Sequence, residues 1–161
     1  MARIELHPDF KDFLRLLNSH GVEYLVVGGY AVGYHGYPRA TGNMDIWIAA
    51  SDLNAQKAAR VLHDFGIGEG KVSEKMFLAK DKVIRMGFPP VRIEVITGAT
   101  GVDFAECYSR REIIEVEGIP INFISLQDLK TTPSGRFMRI QILRRGLKEP
   151  EKNRDSAGRS S

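Results

Sequence analysis

With one cysteine in 161 residues, the chain can form no internal disulfide and no cysteine-based zinc site. Cys107 also lacks the Cys-His context that would mark a catalytic thiol. No apolar run is long enough to span a bilayer, and Met1-Ala-Arg-Ile-Glu5 lacks a signal-peptide pattern, so a cytoplasmic location with no membrane partner is expected. Internal repeats are absent. Neither sign of charge dominates, since 23 Lys and Arg stand against 20 Asp and Glu, a net of +3. The excess is nevertheless uneven: from Lys130 to Ser161 nine basic residues face three acidic ones, a net of +6, which leaves −3 on the first 129 residues. Positive charge is a property of the tail. There, Arg136, Arg139, Arg144, Arg145 and Lys148 could meet nucleic-acid phosphates, or could simply coat a solvated helix that frays after Lys148. The length suits one domain, read as residues 1–129, followed by a basic helix or tail over 130–161.

What is present is clear periodicity. Phe10, Phe13, Leu14 and Leu17 have helical spacing behind Pro8, and the segment stops near His20-Gly21. A second helix is expected from Asp52 to Phe65, with Ser51 as N-cap and Gly66 as its stop. Phe77 to Met86 reads as extended, leading through Pro89-Pro90 into a strand at Val91–Ile96. Glu112–Glu117 and Pro120–Ile124 flank Gly118 as a hairpin, and Ser125 with Asp128 opens a further helix. These elements predict a mixed sheet with helices packed against it, an α/β or α+β core.

One block carries chemistry. The strand-like Glu23-Tyr-Leu-Val-Val27 runs into Gly28-Gly29, where backbone N–H groups can approach a ligand closely, and Tyr30–Tyr34 suits a short helix whose N-terminus favours an anion. A plain packing turn explains the glycine pair equally well. In Asn43-Met44-Asp45-Ile46-Trp47-Ile48 polar and apolar residues alternate, so Asn43 and Asp45 face one way while Met44 and Ile46 face a core. Glu94 interrupts the apolar centre of Val91–Ile96, and a carboxylate there needs a metal or an ion pair with a neighbour such as Arg92 or Arg39. Arg39 and Thr41 could contact phosphate oxygens or be ordinary surface and strand-start residues. His35 could act as an acid or base or be structural, and Tyr30, Tyr34 and Tyr37 could stack on a base or pack.

Gly28-Gly29, the thirteen-residue spacer Tyr30–Gly42, Asn43-x-Asp45 and the distant Glu94 together resemble the DNA polymerase β-like nucleotidyltransferase superfamily. Within it, the wording of Gly28 to Ile48 is similar to small bacterial stand-alone nucleotidyltransferases related to AbiEii-type toxins and minimal nucleotidyltransferase antitoxins. The likeness runs from about Asp9 to Leu129. Thr131-Thr-Pro-Ser-Gly135 and Met138–Leu143 depart from it. The resemblance implies a nucleotidyltransferase core that moves a nucleoside monophosphate from a nucleoside triphosphate to an acceptor hydroxyl, with Mg²⁺ or Mn²⁺ as cofactor. Gly28, Gly29, Tyr30, Arg39 and Thr41 would serve the nucleotide. Asp45 would bridge two metals, Glu94 would complete the site, and Asn43 stands where the first carboxylate belongs. An amide there predicts weakened metal binding and slow turnover. Such a site is consistent with an exchange made to trap substrate, a natural pseudoenzyme, or an active variant with a shifted metal shell, and the regular motif around Asn43 favours a disabled parent enzyme. Implied partners are a nucleoside triphosphate, an acceptor RNA or protein, and a cognate toxin or antitoxin or a second copy of the chain. The other class of function is a catalytically silent nucleotide- or partner-binding protein.

Overall fold

The computed structural model describes residues 6–36, 43–66, 74–78, 82–88, 91–97 and 102–132. Its first helix, α1 (Pro8–Ser19), buries Phe10, Phe13, Leu14 and Leu17, the expected stripe. His7 caps it by accepting the Asp9 N–H, and proline at the first helical position leaves no donor unsatisfied. Strand β1 (Tyr24–Val27) is buried along its whole length, as befits a central strand. It runs directly into α2 (Gly28–Tyr34), so the helix expected from Tyr30 begins at the glycine pair itself. The reason lies in Gly28, whose φ of +67° turns the chain sharply enough to start the helix without a linker.

β2 (Asn43–Ile48) returns antiparallel to β1, and α3 (Asp52–Asp64) follows, capped by Ser51 and ended by Phe65 and by Gly66 at φ +102°. The expectation of an extended Phe77–Met86 needs correction. Lys75–Leu78 form a short helix, α4, that buries Phe77 completely, and only Val83–Met86 make strand β3. Lys75, Met76 and Leu78 are favourable helix residues, so the turn needs no override of local preference, and from it Phe77 enters the core. β4 (Arg92–Ile96) pairs antiparallel with β3 and parallel with β2. After α5 (Phe104–Ser109), β5 (Glu112–Val116) and β6 (Ile119–Phe123) form the expected hairpin. Its two turn residues, Glu117 and Gly118, both have positive φ, at 52° and 83°, the backbone that matches strand twist in a two-residue turn. α6 (Leu126–Thr131) is capped by Ser125, whose hydroxyl accepts the Asp128 N–H at 3.1 Å. The basic tail beyond Thr132 lies outside the described residues.

The six strands form one mixed sheet in the order β3-β4-β2-β1-β6-β5, with β6 parallel to β1. This is the mixed α+β sheet architecture expected from the periodicity. Strands β2 and β4 send Met44, Ile46, Ile93 and Val95 into the main core with Phe10, Phe13, Leu14 and Leu17 of α1. Their alternate residues therefore emerge on the opposite face, and that face holds the polar row.

Candidate functional site

Register, rather than any loop, brings the polar residues together. Across the parallel β2–β4 pair Asp45 stands opposite Glu94 and Asn43 opposite Arg92. Across the antiparallel β3–β4 pair Arg85 stands opposite Glu94. Directly opposed strand residues share a face, so Arg85, Glu94, Asp45, Arg92 and Asn43 form one contiguous patch. Trp47 continues this face away from the patch and is covered by Phe104 of α5, whose ring meets it edge-on at 5.1 Å.

Each carboxylate has a distinct setting. Val27, the last residue of β1, pairs with Asp45, and the next residue, Gly28, lets α2 start against the Asp45 side chain. A β-carbon at Gly28 would overlap the Asp45 carboxylate and lie 2.9 Å from its Cγ. The same carboxylate accepts a hydrogen bond from the Asn43 amide, Nδ2 to Oδ1 at 2.7 Å. Glu94, with its side chain 14% exposed, lies between two guanidinium groups: Arg85 Nε is 3.7 Å from Oε1 and an Arg92 terminal nitrogen is 3.5 Å from Oε2. Arg92 also keeps its Nε–H buried, with no acceptor among the described residues.

The donor set can be weighed against the expected metals. Among the described residues no group of three or more His, Cys, Asp or Glu side chains is placed to hold an ion. Asp45 and Glu94 are register partners and oxygen donors of the kind Mg²⁺ prefers. Asn43 directs its N–H, not its carbonyl oxygen, at Asp45.

Of the remaining expected site residues, Gly28 and Gly29 open α2 beside Asp45. Tyr30 packs its ring edge-on against Phe10 at 5.5 Å, and burial pushes its hydroxyl pKa up, so this residue holds α2 to α1. Tyr34 stacks on Phe123 at 4.6 Å. His35 brings Nε2 within 2.8 Å of the Ile124 carbonyl oxygen, fastening the end of α2 to the chain after β6. These contacts match the packing and structural roles. Arg39, Thr41 and Tyr37 lie outside the described residues. Arg85 was not foreseen: alternation in Val83–Met86 puts Arg85 and Val83 on one face, but only the β3–β4 register shows that this face is the one carrying Glu94.

Neither a protein-family model nor a curated protein matches the chain. A crystal structure of a provisionally assigned nucleotidyltransferase from Thermotoga maritima does match in fold, with a TM-score of 0.54 over 88% of this chain and 94% of that one, at 18% identity. The fold is nucleotidyltransferase-like. It consists of the mixed six-stranded sheet with its helices, and among the described residues no helix is long and apolar enough to cross a membrane.

Proposed function

We propose that the chain is a nucleotidyltransferase of the small bacterial stand-alone kind, which binds a nucleoside triphosphate and transfers its nucleoside monophosphate to an acceptor hydroxyl, slowly because of Asn43. One observation carries this reading: Asp45 and Glu94 are register partners on paired strands, directly beside the Gly28 turn that starts α2. Paired oxygen donors next to a glycine turn after a strand are the combination that metal-assisted phosphoryl chemistry needs.

Asp45 and Glu94 are the residues that would hold Mg²⁺ or Mn²⁺. Bound there, such an ion supplies positive charge to the attacking and leaving oxygens of the transfer. The chain's own contributions are positional. The Gly28 turn leaves room for the Asp45 carboxylate, and the Asn43 amide fixes its orientation. The cost of Asn43 is electrostatic, because the expected two-metal arrangement relies on three carboxylates and, among the described residues, this face offers Asp45 and Glu94.

A second reading is favoured by a specific observation. The Asn43–Asp45 hydrogen bond and the two arginines within ion-pair distance of Glu94 give each carboxylate a partner from the chain itself, which suits a silent nucleotide-binding protein. Pyrophosphate release from each of the four nucleoside triphosphates, with Mg²⁺ or Mn²⁺, tests the choice. Asn43→Asp should raise the rate by roughly 100-fold or more, a few kcal/mol of barrier, and Asp45→Ala should abolish it. Equal rates for Asn43→Asp and the unaltered chain would overturn the assigned role of Asn43. Nucleotide binding without release in either protein would establish the silent alternative.

A further inference from the structure

The face that carries Asp45 and Glu94 is not acidic. Arg85 and Arg92 bring two positive charges to the same patch, so among the described residues its two acidic and two basic side chains balance. A patch of zero net charge attracts dications weakly compared with a three-carboxylate site. The arginines are also held loosely. Their contacts to Glu94, at 3.7 and 3.5 Å, exceed the roughly 2.7–2.9 Å of a tight charge-assisted hydrogen bond. Arg85 is 60% exposed and Arg92 31% exposed at the side chain, so both guanidinium groups can reach solvent. Among the described residues, the buried Nε–H of Arg92 has no acceptor. A buried donor left in that state is costly, so the Arg92 side chain gains by shifting to meet an acceptor.

The spacing suits one extended anion. Arg85 opposes Glu94, and Arg92 lies two residues before Glu94, so the arginines are diagonal neighbours across the β3–β4 pair, about 7–8 Å apart at the backbone. Planar guanidinium forks match phosphate oxygens bidentately, and two of them at this separation can grip successive phosphates of one chain.

We infer that Arg85 and Arg92 bind the polyphosphate of a nucleotide directly, so that this face takes its ligand without a divalent cation. The two arginines stand in for the charge that metal ions would bring, and Asn43 removes the carboxylate that would repel the phosphates. This inference rests on the nucleotide reading above and specifies how that site holds its ligand.

Calorimetric titration of the full chain with inorganic tripolyphosphate and with each nucleoside triphosphate, once in EDTA and once in MgCl₂, tests it. Affinity in EDTA should stay within about threefold of that in Mg²⁺. Arg85→Ala and Arg92→Ala should each weaken binding in EDTA by about tenfold or more, as expected for loss of a charged hydrogen bond, while Arg92→Lys should fall between. Circular dichroism melts confirm that the variants are folded, and Arg85, being exposed, serves if Arg92→Ala does not fold. Binding that requires Mg²⁺ would overturn the inference and leave the nucleotide reading intact, as would unchanged affinity in both alanine variants. No binding of any of these ligands in either buffer would overturn both. Tighter binding of a nucleoside triphosphate than of tripolyphosphate supports the nucleotide as ligand; equal binding overturns it in favour of free polyphosphate.

Discussion

The Asp45 carboxylate rests against the α-carbon of Gly28, in the volume where any other residue would carry its β-carbon. Gly28 is doubly constrained, because its φ of +67° is also a conformation that L side chains rarely adopt. Gly28→Ala should therefore displace Asp45 and destabilise the fold by about 2–4 kcal/mol, combining backbone strain with the clash. Gly33→Ala is the matched control, since a β-carbon at Gly33 meets nothing within 4 Å and alanine favours the helix by about 1 kcal/mol. Urea denaturation of the two variants should move in opposite directions.

Asn43→Asp should change what a cation does to stability. The amide now donates to Asp45 at 2.7 Å, and a carboxylate in its place would set like charges side by side. Without metal, the variant should melt several degrees below the unaltered chain. Addition of millimolar MgCl₂ should restore it, because a ligand that binds only the folded state stabilises by mass action. The unaltered chain should show a much smaller Mg²⁺ shift. Differential scanning fluorimetry with and without MgCl₂ reads both proteins.

Much of this arrangement was legible before any coordinates. Alternation in Asn43–Ile48 fixed which residues share a face, and Met44 and Ile46 are buried at 1% and 0% exposure. Caps at Ser51 and Ser125 were recognisable because a side-chain oxygen three residues ahead of a free N–H is a local signal. The salt-bridge reading of Glu94 named Arg92 correctly but missed Arg85, which depends on pairing between two strands and leaves no trace in local spacing. The α4 helix is hard to read for a different reason: Lys75, Met76 and Leu78 favour a helix, but a single turn is too short to show helical periodicity. That the Asn43 amide would donate to Asp45 also needed the structure, since a shared face does not specify a rotamer.

Acid should weaken the anchoring of α6. Burial alone pushes the Asp128 carboxyl up, but hydrogen bonds from Arg110 and Ser125 together with the Arg110 charge outweigh it and hold its pKa below the ordinary carboxylate range. A carboxyl depressed on folding contributes stability above its unfolded pKa and loses it as pH falls through the folded value. Stability should thus drop below about pH 4. Asp128→Asn should flatten part of that slope and cost about 2 kcal/mol at neutral pH, where it breaks the paired 3.0 Å contacts with Arg110. Urea midpoints measured from pH 3 to 7 for both proteins check the sign.

Asn54 ties α3 to the ends of β1 and β2, and its loss should be among the more damaging single changes. The side chain is 3% exposed; its oxygen accepts the Glu23 N–H at 2.7 Å, and its nitrogen donates to the carbonyls of Glu23 at 3.1 Å and Ala49 at 2.8 Å. Asn54→Ala strands one donor and leaves two carbonyls short of a bond, for a cost of about 3 kcal/mol. Asn54→Asp separates the two halves of the interaction. One carboxylate oxygen can still accept from Glu23, but the other faces two carbonyl oxygens, which raises the pKa of the new group in the folded state. A raised carboxyl pKa gives stability that is full below the unfolded value of about 3.9 and is lost as pH rises through the folded value. Relative to the unaltered chain, Asn54→Asp should therefore be least impaired in acid and most impaired at pH 7, whereas Asn54→Ala should show no such trend. Parallel pH-dependent denaturation of the two variants would show whether the donor half of the amide matters as this geometry requires.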